Sequence, residues 1–162
     1  MSFFNKNDVI EMAINMEKNG YSFYNKALQR PNIDSELESV LTGLRNDENE
    51  HRQTFLALRD KIDKLRIEDS PTWKDAKDYI ETVVESHVFN DSDKAIQLAQ
   101  NASDVSQLLD YAVQFEKDTI LFFFAISKHI KGEKAEKAIQ SIIEEEYSHI
   151  KKIRDLKKKI KK

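Results

Sequence analysis

Four stretches of this sequence carry apolar residues at steps of three and four, and each stretch is broken near its middle by acid or imidazole. The first stretch reads Ile10, Ile14, Glu17, Tyr21, Tyr24, Leu28. The second reads Leu37, Leu41, Leu44, Glu48, His51, Phe55, Leu58, Ile62, Leu65. The third is Leu109, Ala112, Glu116, Thr119, Phe123, Ile126, Ile130, and the fourth is Ala135, Ile139, Ile142, Glu146, His149, Ile153, Leu156, Ile160. Steps of three and four keep side chains on one face of a helix, and that is the face a helical bundle buries. Six polar residues are therefore predicted inside: Glu17, Glu48, His51, Glu116, Glu146 and His149. A buried, unpaired carboxylate is costly, so it takes up a proton or finds a cation. Four carboxylates carry four negative charges, and two divalent ions would cancel them.

Spacing strengthens that reading. Glu48 and His51 are three residues apart, as are Glu146 and His149. Three residues turn a helix by ~300° and raise it by ~4.5 Å, so both side chains leave one face at similar height. One Glu-x-x-His in so acidic a chain is an ordinary surface pair. Two in register with apolar stripes, with one further in-stripe Glu on each other helix, are not. The bland alternative is a buried polar network or charges at the stripe edge. An internal repeat supports the metal reading. Ala13-Ile14-Asn15-Met16-Glu17-Lys18 matches Ala112-Val113-Gln114-Phe115-Glu116-Lys117 at an offset of 99 residues, and the two Glu-x-x-His pairs are offset by 98. Oxygen-rich ligation with one imidazole per ion suits iron, or manganese, better than structural zinc. The chain has no Cys, which removes thiolate sites, disulfides and Cys nucleophiles and fits a cytoplasmic protein.

The helix boundaries follow from caps and breakers. Asp8 and Glu11 form a capping-box pattern that starts the first helix, and Pro31 stops it after about Arg30. Asp34 or Ser35 caps the second, expected to reach about Arg66. Residues 68–103 form a connection, with a helix from Pro71 to about Phe89, a break at Asn90-Asp91-Ser92-Asp93, and a short helix from Lys94 to Asn101. Ser103 or Asp104 starts the third core helix, which is expected to end at Gly132, and the fourth runs from about Glu133 onward. With 162 residues, three Gly and two Pro, the expectation is one all-α domain over 1–162. Two antiparallel helix pairs joined by one long crossover between the second and third core helices make a ferritin-like four-helix bundle.

The motif segments also resemble a known family. Ala13 to Tyr24, Asp47-Glu48-Asn49-Glu50-His51, Phe115-Glu116-Lys117-Asp118-Thr119 and Glu146-Tyr147-Ser148-His149 look like the rubrerythrin di-iron domain. The resemblance covers the core helices, about 8–66 and 103–160, and covers the crossover poorly. It implies that two iron ions are held by Glu17, Glu48, His51, Glu116, Glu146 and His149. In that reading Glu48 and Glu146 bridge, Glu17 and Glu116 are terminal, and each His binds one iron. Tyr24 matches a family tyrosine that hydrogen-bonds a ligand carboxylate and is the candidate catalytic residue. Two departures stand out. The family's rubredoxin domain, with its paired Cys-x-x-Cys, has no counterpart here, so electrons would come from an external donor such as a rubredoxin. The family's additional Glu one turn after the third-helix ligand is Thr119 here.

The implied activity is reduction of hydrogen peroxide or O₂ by a di-iron oxidoreductase, a role in oxidative stress. The alternatives are a ferritin-like protein that oxidises and hands on Fe²⁺, and a non-catalytic helical interaction module. A net charge of −3 gives no global attraction to nucleic acid, and no apolar run is long enough for a membrane span. The first eight residues lack the basic segment and apolar run of a signal peptide. Homodimerisation is expected from the family. Asp47 and Asp118 are the candidates to orient the imidazoles. Glu50, Glu144 and Glu145 point off the stripe and read as solvated, with Glu145 a reserve ligand. His87 reads as a surface residue, and His129 as a partner for a helix C-terminus. Trp73 is expected to pack the crossover onto the bundle, and Phe122 or Phe124 to lie beneath it or against a second subunit. The Lys157–Lys162 tail suits a helix end.

Overall fold

The computed structural model describes residues 6–31, 33–59, 66–67, 71–88 and 90–160. Four long helices form the core: α1 (Lys6–Ala27), α2 (Ser35–Arg59), α5 (Val105–Ser127) and α6 (Glu133–Ile160). Two shorter helices, α3 (Pro71–Glu85) and α4 (Ser92–Asn101), carry the crossover. Short strands β1 (Arg66–Ile67) and β2 (Ile130–Lys131) pair antiparallel, Arg66 opposite Lys131 and Ile67 opposite Ile130. No helix among the described residues is long and apolar enough to cross a membrane.

Cross-helix pairs fix the directions. Glu11 near the start of α1 pairs with Arg59 at the end of α2 at 3.0 Å, so α1 and α2 are antiparallel. Asp110 of α5 pairs with Lys157 of α6, and Glu36 of α2 with Lys159 of α6, so those neighbours are antiparallel too. The apolar stripes meet in the middle as two clusters. One gathers Ile10, Ile14, Phe55, Phe123, Ile126, Ile139 and Ile142. The other gathers Phe23, Tyr24, Leu41, Leu44, Leu109, Ala112 and Ile153. Along every core helix the acid or imidazole falls between the residues of one cluster and those of the other. α3 covers the first cluster through Ile80 and Val83, and α4 covers the second through Ala95 and Ala99.

Side chains near the ends set the boundaries. Asp34 accepts the Leu37 N–H at 2.8 Å, Asp91 that of Lys94 at 2.7 Å, and Asp104 that of Gln107 at 2.8 Å, each satisfying a donor that a helix start leaves free. Several expectations are corrected. α1 is already helical at Lys6, so Asp8 and Glu11 lie within its first turns and Glu11 is spent on Arg59 rather than on a capping box. α2 does not continue to Arg66, which is in β1, and α5 stops at Ser127 rather than running to Gly132. The chain segments beyond α2 and α5 meet at one end of the bundle, and the two-residue ladder pairs backbone groups there that helix ends would leave open. Gly132, at φ 129°, is the turn between β2 and α6, a conformation closed to most side chains; its carbonyl accepts the Glu136 N–H at 2.9 Å. α3 ends at Glu85, and the following turn carries His87 inward.

Among the described residues the stripes hold with two exceptions: Tyr21 is 36% exposed and Ile160 44% exposed. On α1 the buried surface is instead wider than one stripe, taking in Val9, Ala13 and Met16 in the cluster that α3 covers and Phe23 and Ala27 in the cluster that α4 covers. Phe122 is buried with Ile80 and Val83 of α3, beneath the crossover, whereas Phe124 is 47% exposed. Ile62, Leu65, Phe89 and the side chain of Trp73 lie outside the described residues.

Candidate metal centre

All six polar residues of the stripes meet in one layer between the two apolar clusters. Glu17, Glu48, Glu116 and Glu146 are fully buried, and His51 and His149 almost so. Their ligand-type atoms form two groups, each within a span of 4.8 Å: Glu17, Glu48, His51 and Glu146 in one, and Glu48, Glu116, Glu146 and His149 in the other. Glu48 and Glu146 belong to both. The imidazole rings lie nearly parallel, 5.8 Å apart at an angle of 21°.

Both imidazoles turn Nδ1 inward and Nε2 outward. His51 Nδ1 stands 3.2 Å from Glu146 Oε1 and 3.4 Å from Glu17 Oε2. His149 Nδ1 stands 2.8 Å from Glu146 Oε2 and 3.4 Å from Glu116 Oε1. On the outside, His51 Nε2 is 2.8 Å from Glu145 Oε2, and His149 Nε2 is 3.0 Å from Asp47 Oδ2. Asp47 and Glu145 each precede the Glu of a Glu-x-x-His pair, and each reaches across to the imidazole on the other helix. Asp47 was a sequence candidate for this position. Asp118 was the other, and it is elsewhere: it accepts the Val88 N–H at 3.0 Å and a Gln114 side-chain N–H at 2.7 Å, tying the crossover to α5. Glu145 takes the place that Asp118 was expected to fill. The acid preceding each motif Glu was the signal that identifies both partners.

Tyr24 donates its hydroxyl hydrogen to Glu116 Oε1 at 2.5 Å. Burial, with the charges of Glu116 and Glu48, pushes this phenol well above its ordinary value, so it stays a donor. Gly20 carries no signal in the apolar pattern, yet α1 approaches so closely there that a Cβ would stand 2.7 Å from Phe115 Cε1 and 2.8 Å from Glu48 Oε2. His87 is buried rather than on the surface, with Nε2 3.2 Å from Thr119 Oγ1 and its ring edge-on to Phe115. His129 is buried beyond the end of α5, its N–H donating to the Ile126 carbonyl at 3.0 Å.

The electrostatics are those of a cation site. Burial raises the pKa of Glu48 well above the usual carboxylate range, and the charges of Glu146, Glu17 and Glu116 add to it. Burial likewise lifts Glu116, with Glu146 adding and His149 opposing, and lifts Glu17 against the pull of His51. Glu146 goes the other way: burial opposes its charge, but the close approach of Glu116, His149 and His51 holds it well below the usual range. Burial disfavours charge on the imidazoles too, yet the nearby carboxylates of Glu146 and Glu17 raise His51 to about 11, and Glu116, Asp47 and Glu146 raise His149 to about 12. The raised imidazoles and carboxyls bind protons that offset part of this negative charge. The same field attracts any divalent cation small enough to enter, which would displace those protons.

Hydrogen bonding leaves a telling remainder. Both oxygens of Glu17, Glu48 and Glu146, Glu116 Oε2, and Nδ1 of both imidazoles are buried without a hydrogen bond of acceptable geometry. Buried polar atoms rarely go unpaired; apart from Arg52 Nε, those found among the described residues are all of the type that ligates metal and gather in the two groups above. The residues present therefore fit a two-ion carboxylate centre.

No family model matches the chain, and no curated protein sequence matches it. Among solved structures it is similar to a crystal structure from Thermotoga maritima, described as that of a candidate ferritin-like diiron-carboxylate protein. The two share 20% of residues at a TM-score of 0.70, over 98% of this chain and 97% of that one. At that identity the likeness concerns the fold. The fold is an all-α, ferritin-like helical bundle.

Proposed function

We propose that the chain holds two iron ions in the polar layer and is a rubrerythrin-like oxidoreductase that reduces hydrogen peroxide or O₂. The observation that carries the reading is the set of buried, ligand-type atoms of Glu17, Glu48, His51, Glu116, Glu146 and His149 that have no hydrogen bond and gather in the two groups. The description of the Thermotoga protein as a diiron-carboxylate protein agrees with it. Glu17 and His51 would hold one ion, Glu116 and His149 the other, with Glu48 and Glu146 shared. Manganese satisfies the same donor set, and iron is the reading we adopt for its redox chemistry. When bound and reduced, the pair supplies two electrons to an O–O bond.

The chain's own residues do the rest. Outward Nε2–H groups, held by Glu145 and Asp47, fix the tautomer that leaves Nδ1 free as a ligand. Tyr24 keeps its proton on the hydroxyl oxygen and holds Glu116 in place. Phe55, Phe115 and Phe123, fully buried on either side of the layer, keep bulk water from it. Converting peroxide to two waters takes two electrons and two protons. The chain has no Cys for a rubredoxin centre, so the electrons come from a separate donor of that kind. The active form in this reading is a cytoplasmic homodimer.

The test is elemental analysis of anaerobically purified protein beside Glu48→Ala/Glu146→Ala. Two irons per chain, lost in the variant, support the centre. No stoichiometric metal in the wild type even after anaerobic Fe²⁺ loading ends the reading. Peroxide turnover with a reduced rubredoxin then separates the oxidoreductase from a ferroxidase, which consumes Fe²⁺ itself.

A further inference from the structure

The internal repeat relates the two halves of the centre; the outer hydrogen bonds of the imidazoles follow that relation, and that of Tyr24 does not. Asp47 and Glu145 are 98 residues apart, as are His51 and His149. Asp47 binds His149 and Glu145 binds His51, so this pair of contacts is reproduced. Glu17 and Glu116 are 99 apart, and so are Tyr24 and Phe123. Tyr24 donates to Glu116. The residue at the repeat-related position has no hydroxyl: it is Phe123, buried and stacked on Phe55 at 5.3 Å. The consequence is visible in the carboxylates. Glu116 has one oxygen tethered and one open, whereas both oxygens of Glu17 are open.

We infer that the two ion positions are unequal: the one built on Glu116 and His149 holds its ion more tightly, and the one built on Glu17 and His51 is exchangeable. The inference rests on the two-ion reading above. A ligand held by an outer partner loses less freedom on binding, and such partners govern metal affinity strongly. The Glu116–His149 position has both terminal ligands so held, one by buried Tyr24 and the other by Asp47, whose side chain is 31% exposed. At the other position Glu17 has no such donor, and the partner of His51 is Glu145, 48% exposed and more readily competed for by water. The geometry assigns Tyr24 a positioning role toward one ion of the two.

Anaerobic titration with Mn²⁺, followed by calorimetry and by the electron paramagnetic resonance of the bound ion, tests this without reference to turnover. His51→Ala is expected to keep one ion at close to the affinity of the first wild-type step. His149→Ala is expected to bind its ion about 10–100-fold more weakly, the range by which outer partners and ligand order tune such sites. Tyr24→Phe is expected to weaken the first step by about tenfold or more, and to change nothing when added to His149→Ala. Phe123→Tyr tightens the second step. Equal affinities in the two His variants, or a Tyr24→Phe effect that persists in the His149→Ala background, overturn the inference and leave the two-ion reading standing. Absence of Mn²⁺ binding in the wild type overturns both. Helix content by circular dichroism accompanies each titration; should His149→Ala lose it, the first-step affinity of Tyr24→Phe decides, with an unchanged value against the proposal.

Discussion

Gly20 shows how narrowly individual residues are constrained around the polar layer. Its missing side chain lets α1 lie against Phe115 and against Glu48, one of the two shared carboxylates. Gly20→Ala is expected to displace both, at a cost of about 1–3 kcal/mol from overpacking, and to weaken Mn²⁺ binding as Glu48 moves. Thermal melts and Mn²⁺ titration measure the two effects separately; an alanine variant with unaltered metal affinity would show that Glu48 has room to shift. Asp47 carries a second expectation. Its hydrogen bond with His149 holds its carboxyl below the usual range, so it is ionised at neutral pH and a good acceptor for Nε2–H. Asp47→Ala should lower metal affinity by about 10–100-fold while leaving the melting temperature of the metal-free protein little changed. An unaltered titration curve for that variant would contradict the orienting role.

At the scale of elements, the crossover is attached by polar contacts as much as by apolar ones. The Arg30 guanidinium, at the close of the α1–α2 turn, donates to the carbonyls of Ala99 at 2.8 Å, Gln100 at 3.2 Å and Ala102 at 2.9 Å. Those carbonyls lie at the C-terminal end of α4, where a helix presents unsatisfied acceptors and partial negative charge. Arg30→Met keeps much of the apolar stem and loses these bonds. It is expected to destabilise the protein by about 1.5–3 kcal/mol, in line with hydrogen bonds to a charged group, and to raise amide exchange in α4 more than in α2. Uniform exchange across all helices would show that α4 is not held locally. On the other side of α4, Asp118 holds the Val88 N–H and Thr119 meets His87, so the link between α3 and α4 is pinned to α5 one turn from Glu116.

For the molecule as a whole, the layer of charge between two apolar clusters is a weakness that a bound cation would turn into a strength. Replacing buried ionic groups by apolar ones is often neutral or stabilising by about 1–4 kcal/mol. Metal-free Glu48→Leu/Glu146→Leu is therefore expected to melt no lower than the metal-free wild type. Saturating Mn²⁺ should raise only the wild type, by about 2.7 kcal/mol for each bound ion at a free concentration of one hundred times that ion's dissociation constant. The dependence on pH follows from the same groups. His51 and His149, raised from 6.5 to about 11 and about 12, bind more protons in the folded than in the unfolded chain above pH 6.5. Their contribution is complete below that pH and is lost as pH rises through the folded values. Glu48 and Glu116, also raised, contribute in the same direction above 4.5. Melting temperature of the metal-free protein is thus expected to fall from pH 6.5 to 9, and to fall less once Mn²⁺ has displaced these protons. A flat or rising profile for the metal-free protein would count against protons held in the layer.

Helical periodicity was enough to set the four core helices and the six residues of the polar layer, because each depends on spacing along one chain segment. Glu17, Glu48, His51, Glu116, Glu146 and His149 could be named from their places in apolar stripes, since a stripe is buried whatever it packs against. The sequence also offered Asp47 as an outer partner, but together with Asp118, which instead holds the crossover. What it left open depends on a second segment. Tyr21 leaves the interior, while Ala13 enters it in the cluster that α3 covers and Phe23 in the cluster that α4 covers. His87 is buried because the turn after α3 faces Thr119. Glu145 reads as solvated by helix phase alone and becomes a partner only where α6 meets His51 of α2. Gly20 is required by the distance between two helices, a quantity with no periodic trace. Spacing fixes which face of a helix is buried, and only the packing of those faces decides which atoms stand within a hydrogen bond of one another.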